Sequence, residues 1–388
     1  MDFRKQKAIQ LVKEKAVKPL DEGWAVHSQT SKRYYYVDEN YKCDCPDCRL
    51  NGTQVCKHAY AVKYFLGIEK ADGSTEKVRL TYPQAWSAYN AAQQAEITMF
   101  DELLKDLVTD IPEPAYVFGR PTLSNKDTAF CAVQKVYSQL SSRRAKSLFN
   151  KAIDAKQLTH SPYFNVVSAF LNKDSTTPLL QELLLKTAAP LKAVETKFAI
   201  DSSGFRTTRY TEYCKEKHGT PRENKWLKAH ICTGVKTNVI AGAVITDGNA
   251  GDSPQLAALI EQTKQNFNAE EYSADKAYSS RKSLELINAQ GAAPFIPFRI
   301  DATSRAGGSA IWHKTFYYFK LRQEEFMAHY HKRSNVETTF SMIKAKLGDG
   351  LKSKNFTAQK NELLCKLIAH NIIVLIQEIH ELDITVNF

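Results

Sequence analysis

Four side chains near the C-terminus have types and spacings suited to metal and phosphate chemistry. They are, in order, Tyr330, Arg333, Glu337 and Lys344. The stretch that holds them has no proline or glycine, so it can be helical throughout. At about 100° per residue, positions four and seven apart share a helix face, which places these side chains on one stripe. A carboxylate flanked by cations suits a site where the acid holds a divalent metal and the cations hold phosphate oxygens.

One glutamate does not fix a divalent metal, and two upstream aspartates are candidates to complete the set. Asp201 ends the short apolar strand predicted at 198–201, and Asp275 ends a second predicted strand at 272–275. Carboxylates at neighbouring strand ends can converge with Glu337 from a facing helix. Two metals held in this way activate the attacking oxygen and stabilise the leaving oxygen in phosphoryl transfer.

The order of these three acids resembles that of the DDE transposases of bacterial and archaeal insertion sequences. The segments that begin at Asp201 and Asp275, and the segment that ends at Glu337, look like the family's signature segments. The resemblance covers roughly residues 80–388. It implies catalysis by these three residues with Mg²⁺ or Mn²⁺, and it implies double-stranded DNA as partner, both terminal inverted repeats and target DNA.

The helical stripe strengthens the resemblance. The spacing Tyr330-x2-Arg333-x3-Glu337-x6-Lys344 matches the Tyr-Arg-Glu-Lys signature of one large group of these transposases. The resemblance and the stripe together predict that Tyr330, Arg333 and Lys344 bind DNA, through its phosphates in the case of the two cations.

The elements that must position these residues follow an α/β pattern over residues 193–388. Strands are predicted at 197–201, 226–233, 238–246, 271–275 and 294–298, and helices lie between and after them. This order is that of an RNase H-like catalytic domain with a mixed sheet. The helix that carries Glu337 has a second, apolar stripe, which should bury that side of the helix beside the acids. The stripe consists of Val336, Phe340, Ile343 and Leu347.

Residues 81–192 predict an all-α domain that precedes the catalytic one. Helices are expected at 86–107, 127–140, 142–155 and 177–187. Such a domain, in the position of the family's end-recognition part, predicts DNA contacts from Arg120, Arg143 and Arg144. A helical packing or dimerisation domain is the alternative.

Residues 21–68 predict a small β-rich zinc-binding module. Strands are expected at 24–29 and 33–37, before two close pairs of metal ligands: Cys43, Cys45, Cys56 and His58. Three thiols and one imidazole suit a closed, structural Zn²⁺ site. The pattern resembles the SWIM-type zinc finger, which implies DNA or protein binding. Cys48 could replace one of the four ligands or lie in an exposed loop.

Two polar segments flank this module. Residues 1–20 alternate basic and apolar residues and predict a basic helix or DNA-binding arm, with a solvated leader as the alternative. Residues 69–80 predict a linker.

Composition agrees with a nucleic-acid partner. The 388-residue chain carries a formal net charge of +11, and such a surplus favours a polyanion, although a merely soluble basic surface is also compatible with it. No apolar run approaches the ~20 residues of a membrane span, and no signal peptide is evident, so we expect no membrane partner. A prokaryotic cytoplasmic protein, nucleoid-associated when bound to DNA, is expected.

These patterns predict a DNA transposase that cleaves insertion-sequence ends and transfers strands into target DNA. Two ends must be held at once, so a homodimer or larger complex on DNA is expected. The alternatives are a DNA-binding regulator or domesticated, inactive transposase that acts through the zinc finger and helical domain, and a structure-specific nuclease without strand transfer.

Overall fold

The chain folds into two units, and the second of them carries the predicted acidic residues. The units are Met1–Gln84 and Ala85–Phe388. The computed structural model describes residues 3–20, 23–29, 33–52, 55–66, 68, 85–113, 115, 118–119, 123–207, 217, 225–305 and 307–388.

The first unit combines three helices with a small antiparallel sheet in the order β1-β2-β3. Its described elements are α1 (Phe3–Lys13), β1 (Val17–Leu20), β2 (Gly23–His27), β3 (Tyr34–Val37), α2 (Pro46–Asn51) and α3 (Lys57–Phe65). Ala8 and Leu11 of α1 pack with Val26, Val37 and Val62 in one apolar cluster. The β-rich module predicted here therefore includes a helix and a strand from the segment that precedes it.

The basic N-terminal helix predicted over residues 1–20 is shorter than expected. It ends at Lys13, and Val17–Leu20 forms β1, whose Val17 pairs with Val26 of β2. Lys15 adopts a left-handed conformation (φ 52°), which ends the helical path. Ala16 and Val17 are then buried in the cluster beneath the sheet, and this burial outweighs the helical periodicity of the segment.

The helices predicted between residues 86 and 187 are present in the second unit, with one addition. The described helices are α4 (Trp86–Val108), α5 (Asn125–Tyr137), α6 (Ser142–Asp154), α7 (Phe164–Leu171) and α8 (Thr176–Ala188). The short α7 was not predicted. A 3₁₀ turn, Ala189–Leu191, follows α8 before the sheet begins.

The rest of the second unit is built on a mixed five-stranded sheet in the order β6-β5-β4-β7-β8. The strands are β4 (Lys197–Arg206), β5 (Trp226–Gly234), β6 (Ile240–Asp247), β7 (Glu271–Ala274) and β8 (Ala293–Phe295). β4, β5 and β6 pair antiparallel, whereas β7 and β8 are parallel to β4. The predicted α/β class, with an RNase H-like mixed sheet and a helical part, is confirmed.

Helices cover both faces of this sheet. They are α9 (Leu256–Lys264), α10 (Arg281–Ala289), α11 (Ala310–Leu321), α12 (Gln323–Tyr330), α13 (Ser334–Leu347) and α14 (Phe356–Leu382). Ala199 and Phe205 of β4 share a buried cluster with Val336 and Phe340 of α13, so the predicted apolar stripe does face the sheet. Ile200 packs in a second cluster, because successive side chains of a strand point to opposite faces.

The long helix α14 lies in the core of the second unit. By length and composition it could cross a membrane, yet 78% of its most apolar window is buried inside the protein. Asn371 lies at its centre and bonds both backbone groups of Ile240 on β6, through Ile240 N at 2.8 Å and Ile240 O at 2.9 Å. The helix therefore behaves as a core helix that fixes the edge of the sheet.

Candidate active site at the centre of the sheet

Asp201 and Asp275 lie at the same level on two adjacent parallel strands, Asp201 within β4 and Asp275 directly after β7. Ile200 pairs with Ala274 as the last pair between β4 and β7, and the two aspartates are the next residues on each strand. The Asp201 Oδ1 accepts a hydrogen bond from its neighbour Ser202 N at 2.8 Å. Asp275 Oδ1 accepts one from Lys276 N at 2.7 Å and begins the 3₁₀ turn that ends β7.

The sequence pattern predicted that Asp201 ends its strand, but the strand extends beyond it. β4 continues to Arg206, because the antiparallel strand β5 pairs with it as far as the Arg206–Trp226 position. The Ser-Ser-Gly run after Asp201 is therefore extended and not a turn. Asp201 and Ser203 consequently project toward α13, and Ser202 projects to the opposite face.

Arg333 joins the acid of β4 to the acid of α13. Its Nη1 donates to Asp201 Oδ2 at 2.5 Å, and its Nη2 donates to Glu337 Oε1 at 2.5 Å. The Glu337 side chain is 59% exposed, whereas those of Asp201 and Arg333 are about one-fifth exposed. The guanidinium therefore acts as the counter-ion that holds two of the three predicted acids in one place.

All three acids interact electrostatically. Burial raises the pKa of the Asp201 carboxyl above its usual value, and the negative charges of Asp275 and Glu337 raise it further. The Ser202 N–H and the Arg333 guanidinium oppose this rise in pKa. Mutual repulsion among carboxylates is what a bound cation relieves, so this set of oxygen donors fits a divalent metal such as Mg²⁺.

The helix that carries Glu337 is interrupted, in contrast to the prediction of one continuous helix. α12 ends at Tyr330, the 3₁₀ turn His331–Arg333 follows, and α13 begins at Ser334. A buried carboxylate on β7 binds this part of the chain: Glu271, which is 5% exposed as a residue. It contacts His329 near the end of α12 and Lys332 within the turn, and partners that lie so far apart in the sequence cannot be inferred from local pattern.

Glu271 ties the turn and the end of α12 to the sheet, through an ion pair with Lys332 and a hydrogen bond with His329. Its Oε2 lies 2.6 Å from His329 Nδ1, and its Oε1 accepts from Lys332 Nζ at 2.5 Å. Burial alone would raise the pKa of Glu271, but the hydrogen bonds from Lys332 and His329 lower it below its usual value. The anchor links β7, which leads to Asp275, to the turn that contains Arg333.

Lys344 and Tyr330 lie on either side of this centre. Lys344 Nζ donates to Ser203 Oγ at 2.7 Å and lies 5.3 Å from the ring centroid of Phe205. Burial lowers the pKa of Lys344. Tyr330 contacts Arg333, whose guanidinium carbon is 5.9 Å from the centre of the phenol ring. Lys344 also lines an open cleft with Asp201, Glu337 and Asp349.

A fourth carboxylate near the site is Asp252, which stands between Gly251 and Ser253-Pro254 and so has the local sequence of a turn or cap residue. Asp252 Oδ1 accepts from Ser202 Oγ at 2.9 Å and pairs with Lys228 Nζ at 2.6 Å and His230 Nδ1 at 3.2 Å. Tyr278 is buried, and its pKa is raised by burial and then by Asp252, Asp201 and Asp275. For this group of side chains the sequence offered one signal, the alternation of Lys228 and His230 in β5. Residues two apart on a strand share a face, so these two side chains could be expected to lie together.

The predicted DNA-binding arginines of the helical region lie on α6. Arg143 and Arg144 are exposed in its first turn, and the Arg143 guanidinium carbon is 5.1 Å from the ring centre of Phe164. Their role in DNA binding stays a prediction. Arg120 lies outside the described residues.

The predicted zinc ligands of the first unit form a buried cluster. The ligand atoms of Cys43, Cys45, Cys56 and His58 all lie within 4.8 Å of one another. His58 turns Nδ1 toward the thiols, at 3.7 Å from the sulfurs of both Cys43 and Cys56. Three thiols and one imidazole gathered in this way fit a tetrahedral Zn²⁺. Cys48 is half-buried and lies outside the set.

Comparison with known proteins bears on the second unit. Residues 192–372 match the family model of the transposase DDE domain, and this range includes the elements that carry Asp201, Asp275 and Glu337. Among solved structures, the chain is similar to piggyBac transposase in a cryo-EM synaptic complex with hairpin DNA. That similarity has a TM-score of 0.34 at 10% identity, over 81% of this chain and 79% of that chain, which is too distant to support a conclusion. The chain thus contains a region, residues 192–372, that matches the transposase DDE domain, and this match supports a transposase.

Proposed function

We propose that this protein is a DNA transposase that cleaves the ends of an insertion sequence and joins them to target DNA. The observation that carries the proposal is that Asp201 and Asp275 come directly after the last residue pair of the parallel strands β4 and β7, while Arg333 is bonded to both Asp201 and Glu337. The match of residues 192–372 to the transposase DDE domain supports the same class of chemistry.

The three acids would hold Mg²⁺ or Mn²⁺. Divalent ions held there would activate the attacking oxygen and stabilise the leaving oxygen of a phosphodiester. Asp201 is fixed by the Ser202 N–H and by Arg333, so its carboxylate is already oriented before any ligand arrives. Glu337 is more exposed and can adjust to the incoming substrate.

The cations of the site would contact DNA. Lys344 lines the same cleft as Asp201 and Glu337, where a phosphate oxygen can replace Ser203 as its partner. Arg333 pairs with both Asp201 and Glu337, and its guanidinium would become available to a phosphate if divalent cations took over that role. Tyr330 lies against Arg333 and would orient it.

The other parts of the chain would support binding to DNA. Arg143 and Arg144 are exposed on α6 and suit phosphate contacts. The zinc cluster would be structural, because its four ligands leave no open position for a substrate. Transposition requires two DNA ends in one complex, so we expect a dimer or larger assembly on DNA, in the cytoplasm of a prokaryotic cell.

A cleavage assay tests the proposal. The substrate is a plasmid that carries the DNA flanking the coding region, incubated with the full chain and Mg²⁺ or Mn²⁺. We expect cleavage by the wild type and background levels for Asp201→Asn, Asp275→Asn and Glu337→Gln. The matched control is Asp110→Asn, which removes an exposed carboxylate paired with Lys186.

Capture of a labelled 3′-hydroxyl end into target DNA would identify a transposase. Cleavage without capture would identify a nuclease instead. Binding without metal-dependent cleavage would contradict the proposal and favour a DNA-binding regulator.

A further inference from the structure

A second polar groove lies between the helical part of the second unit and the segment that leads into α14. We call it the lysine groove, and its key lining residues are Lys135, Ser141, Thr207, Lys352, Lys354 and Asn355. The lining contains lysines, hydroxyl groups and amides, and it includes no aspartate or glutamate among the described residues. Its charge therefore favours an anionic occupant.

Lys135 is the most buried of the three lysines that line the groove. It lies on α5, is only 7% exposed and lines the groove. Within the described ranges, its ammonium group has no hydrogen-bond acceptor or carboxylate partner. An ammonium group at the wall of a groove, without a partner from the protein, can bind an anion there.

Two helices begin at this groove. Ser141 precedes the 13-residue helix α6, and Asn355 precedes the 27-residue helix α14. Neither residue caps its helix with its side chain, so the first N–H groups of both helices remain available. The positive ends of two helix dipoles then add to the charge of the lysines, and such ends are common binding sites for phosphate.

The segment between α13 and α14 is held in place beneath the groove. Buried Glu362 accepts hydrogen bonds from the backbone N–H groups of Lys352 at 2.8 Å and Ser353 at 2.7 Å. The Lys352 ammonium donates to the carbonyl of Gln139. Lys354 is exposed on this ordered segment. The groove is therefore a preformed site, which lowers the entropic cost of binding.

The groove is connected to the acidic centre by a single strand. Thr207 lines the groove six residues after Asp201, at the end of β4. Six extended residues span about 20 Å, which corresponds to roughly six base pairs of duplex DNA. One duplex could therefore reach both places, and hydroxyl and amide groups such as those of the groove are usual partners of the DNA backbone.

From these observations we propose that the lysine groove binds backbone phosphates of the DNA about half a helical turn from the cleavage site. This inference rests on the proposed function for its position relative to cleavage. Binding itself does not require catalysis, so the two can fail separately.

Salt-dependent DNA binding in EDTA tests the inference without cleavage. The probe is a fluorescent 30-base-pair duplex of arbitrary sequence, titrated with the full chain at several NaCl concentrations. For Lys135→Met and for Lys354→Gln we expect roughly tenfold weaker binding and a log–log salt slope that is smaller by about one. Lys264→Gln, an exposed lysine at the end of α9, is the charge-matched control and should bind like the wild type.

Further variants keep the test decisive. Lys135→Arg should retain binding, and Ser141→Glu, which adds a carboxylate at the groove without altering a buried position, should weaken it. The inference is overturned if Lys135→Met and Ser141→Glu bind with the wild-type slope, or if Lys264→Gln weakens binding equally. It is also overturned if inorganic phosphate stabilises the wild type but not Lys135→Met, while both bind the duplex equally.

Discussion

The buried carboxylate of Glu271 provides a quantitative test of how the site is assembled. It connects β7 to the turn that carries Arg333, through Lys332 and His329. Glu271→Gln keeps the size of the side chain and removes the charge. The ion pair with Lys332 then becomes a weaker hydrogen bond from the ammonium to an uncharged amide, and the turn loses its strongest attachment to the sheet.

The expected loss of stability follows from the burial of the three groups. The Glu271 side chain is 6% exposed, but those of Lys332 and His329 are 27% and 36% exposed and can turn toward water. Breaking a fully buried pair costs roughly 3–5 kcal/mol, so solvent screening reduces the expected cost to about 2 kcal/mol. For a unit of this size that loss lowers its Tm by roughly 3 °C.

The effect should depend on pH. The folded-state pKa of Glu271 lies below its usual value of 4.5, so its contribution to stability is complete above pH 4.5 and is lost as pH falls through the lower folded value. Calorimetry at pH 7 should therefore show the full difference in Tm between wild type and Glu271→Gln, and below pH 4.5 the difference should shrink.

The neighbouring Glu270→Gln is the control. Glu270 is exposed and accepts one hydrogen bond from Thr196, so its replacement should change the free energy of unfolding by no more than about 0.5 kcal/mol. Equal Tm values for Glu271→Gln and wild type at pH 7, or a difference that persists unchanged at low pH, would refute the reasoning about the anchor. Cleavage activity should also fall in Glu271→Gln, because Arg333 lies in the turn and Glu337 lies in the first turn of α13, which follows it.

Three other outcomes can be measured with single variants. In Arg333→Gln the pKa of Asp201 should rise further, because the guanidinium lowers it, so the pH–rate profile of cleavage should begin at higher pH than in the wild type; an unchanged profile would contradict this. A chromogenic zinc assay should find one Zn²⁺ per chain in the wild type and none in Cys56→Ser, and the calorimetric transition of the first unit should disappear while that of the second remains. Lys366→Met should cost about 2 kcal/mol in urea denaturation, because the buried Lys366 ammonium donates to three carbonyls around the end of α13, those of Leu347, Gly348 and Gly350; a loss below 0.5 kcal/mol would show that water replaces it.

Local sequence pattern was sufficient where periodicity and burial coincide. Val336 and Phe340 follow helical spacing and are buried against the sheet, as their pattern predicts. The order of strands and helices also predicted the mixed sheet. Asp201 and Asp275 could be predicted to lie close together because each comes directly after apolar strand residues, and those residues pair as parallel neighbours.

Long-range contacts determined what the sequence did not reveal. The Ser-Ser-Gly run after Asp201 has the local character of a turn, but pairing with β5 makes it a strand. The turn between α12 and α13 is bonded to Glu271, about sixty residues upstream of Lys332. Asp252 lies among turn residues, and its position beside Ser202 follows only from the fold of β5 and β6.

The most direct test of the account is to locate divalent ions in crystals of the full chain soaked with MnCl₂. We predict anomalous density between the carboxylates of Asp201 and Asp275, within about 2.0–2.3 Å of their oxygens, with Glu337 completing the set and Arg333 displaced from Asp201. Fully occupied Mn²⁺ elsewhere in the protein, with Asp201 still bonded only to Arg333 and Ser202, would contradict the claim that these three acids form a metal-dependent active site.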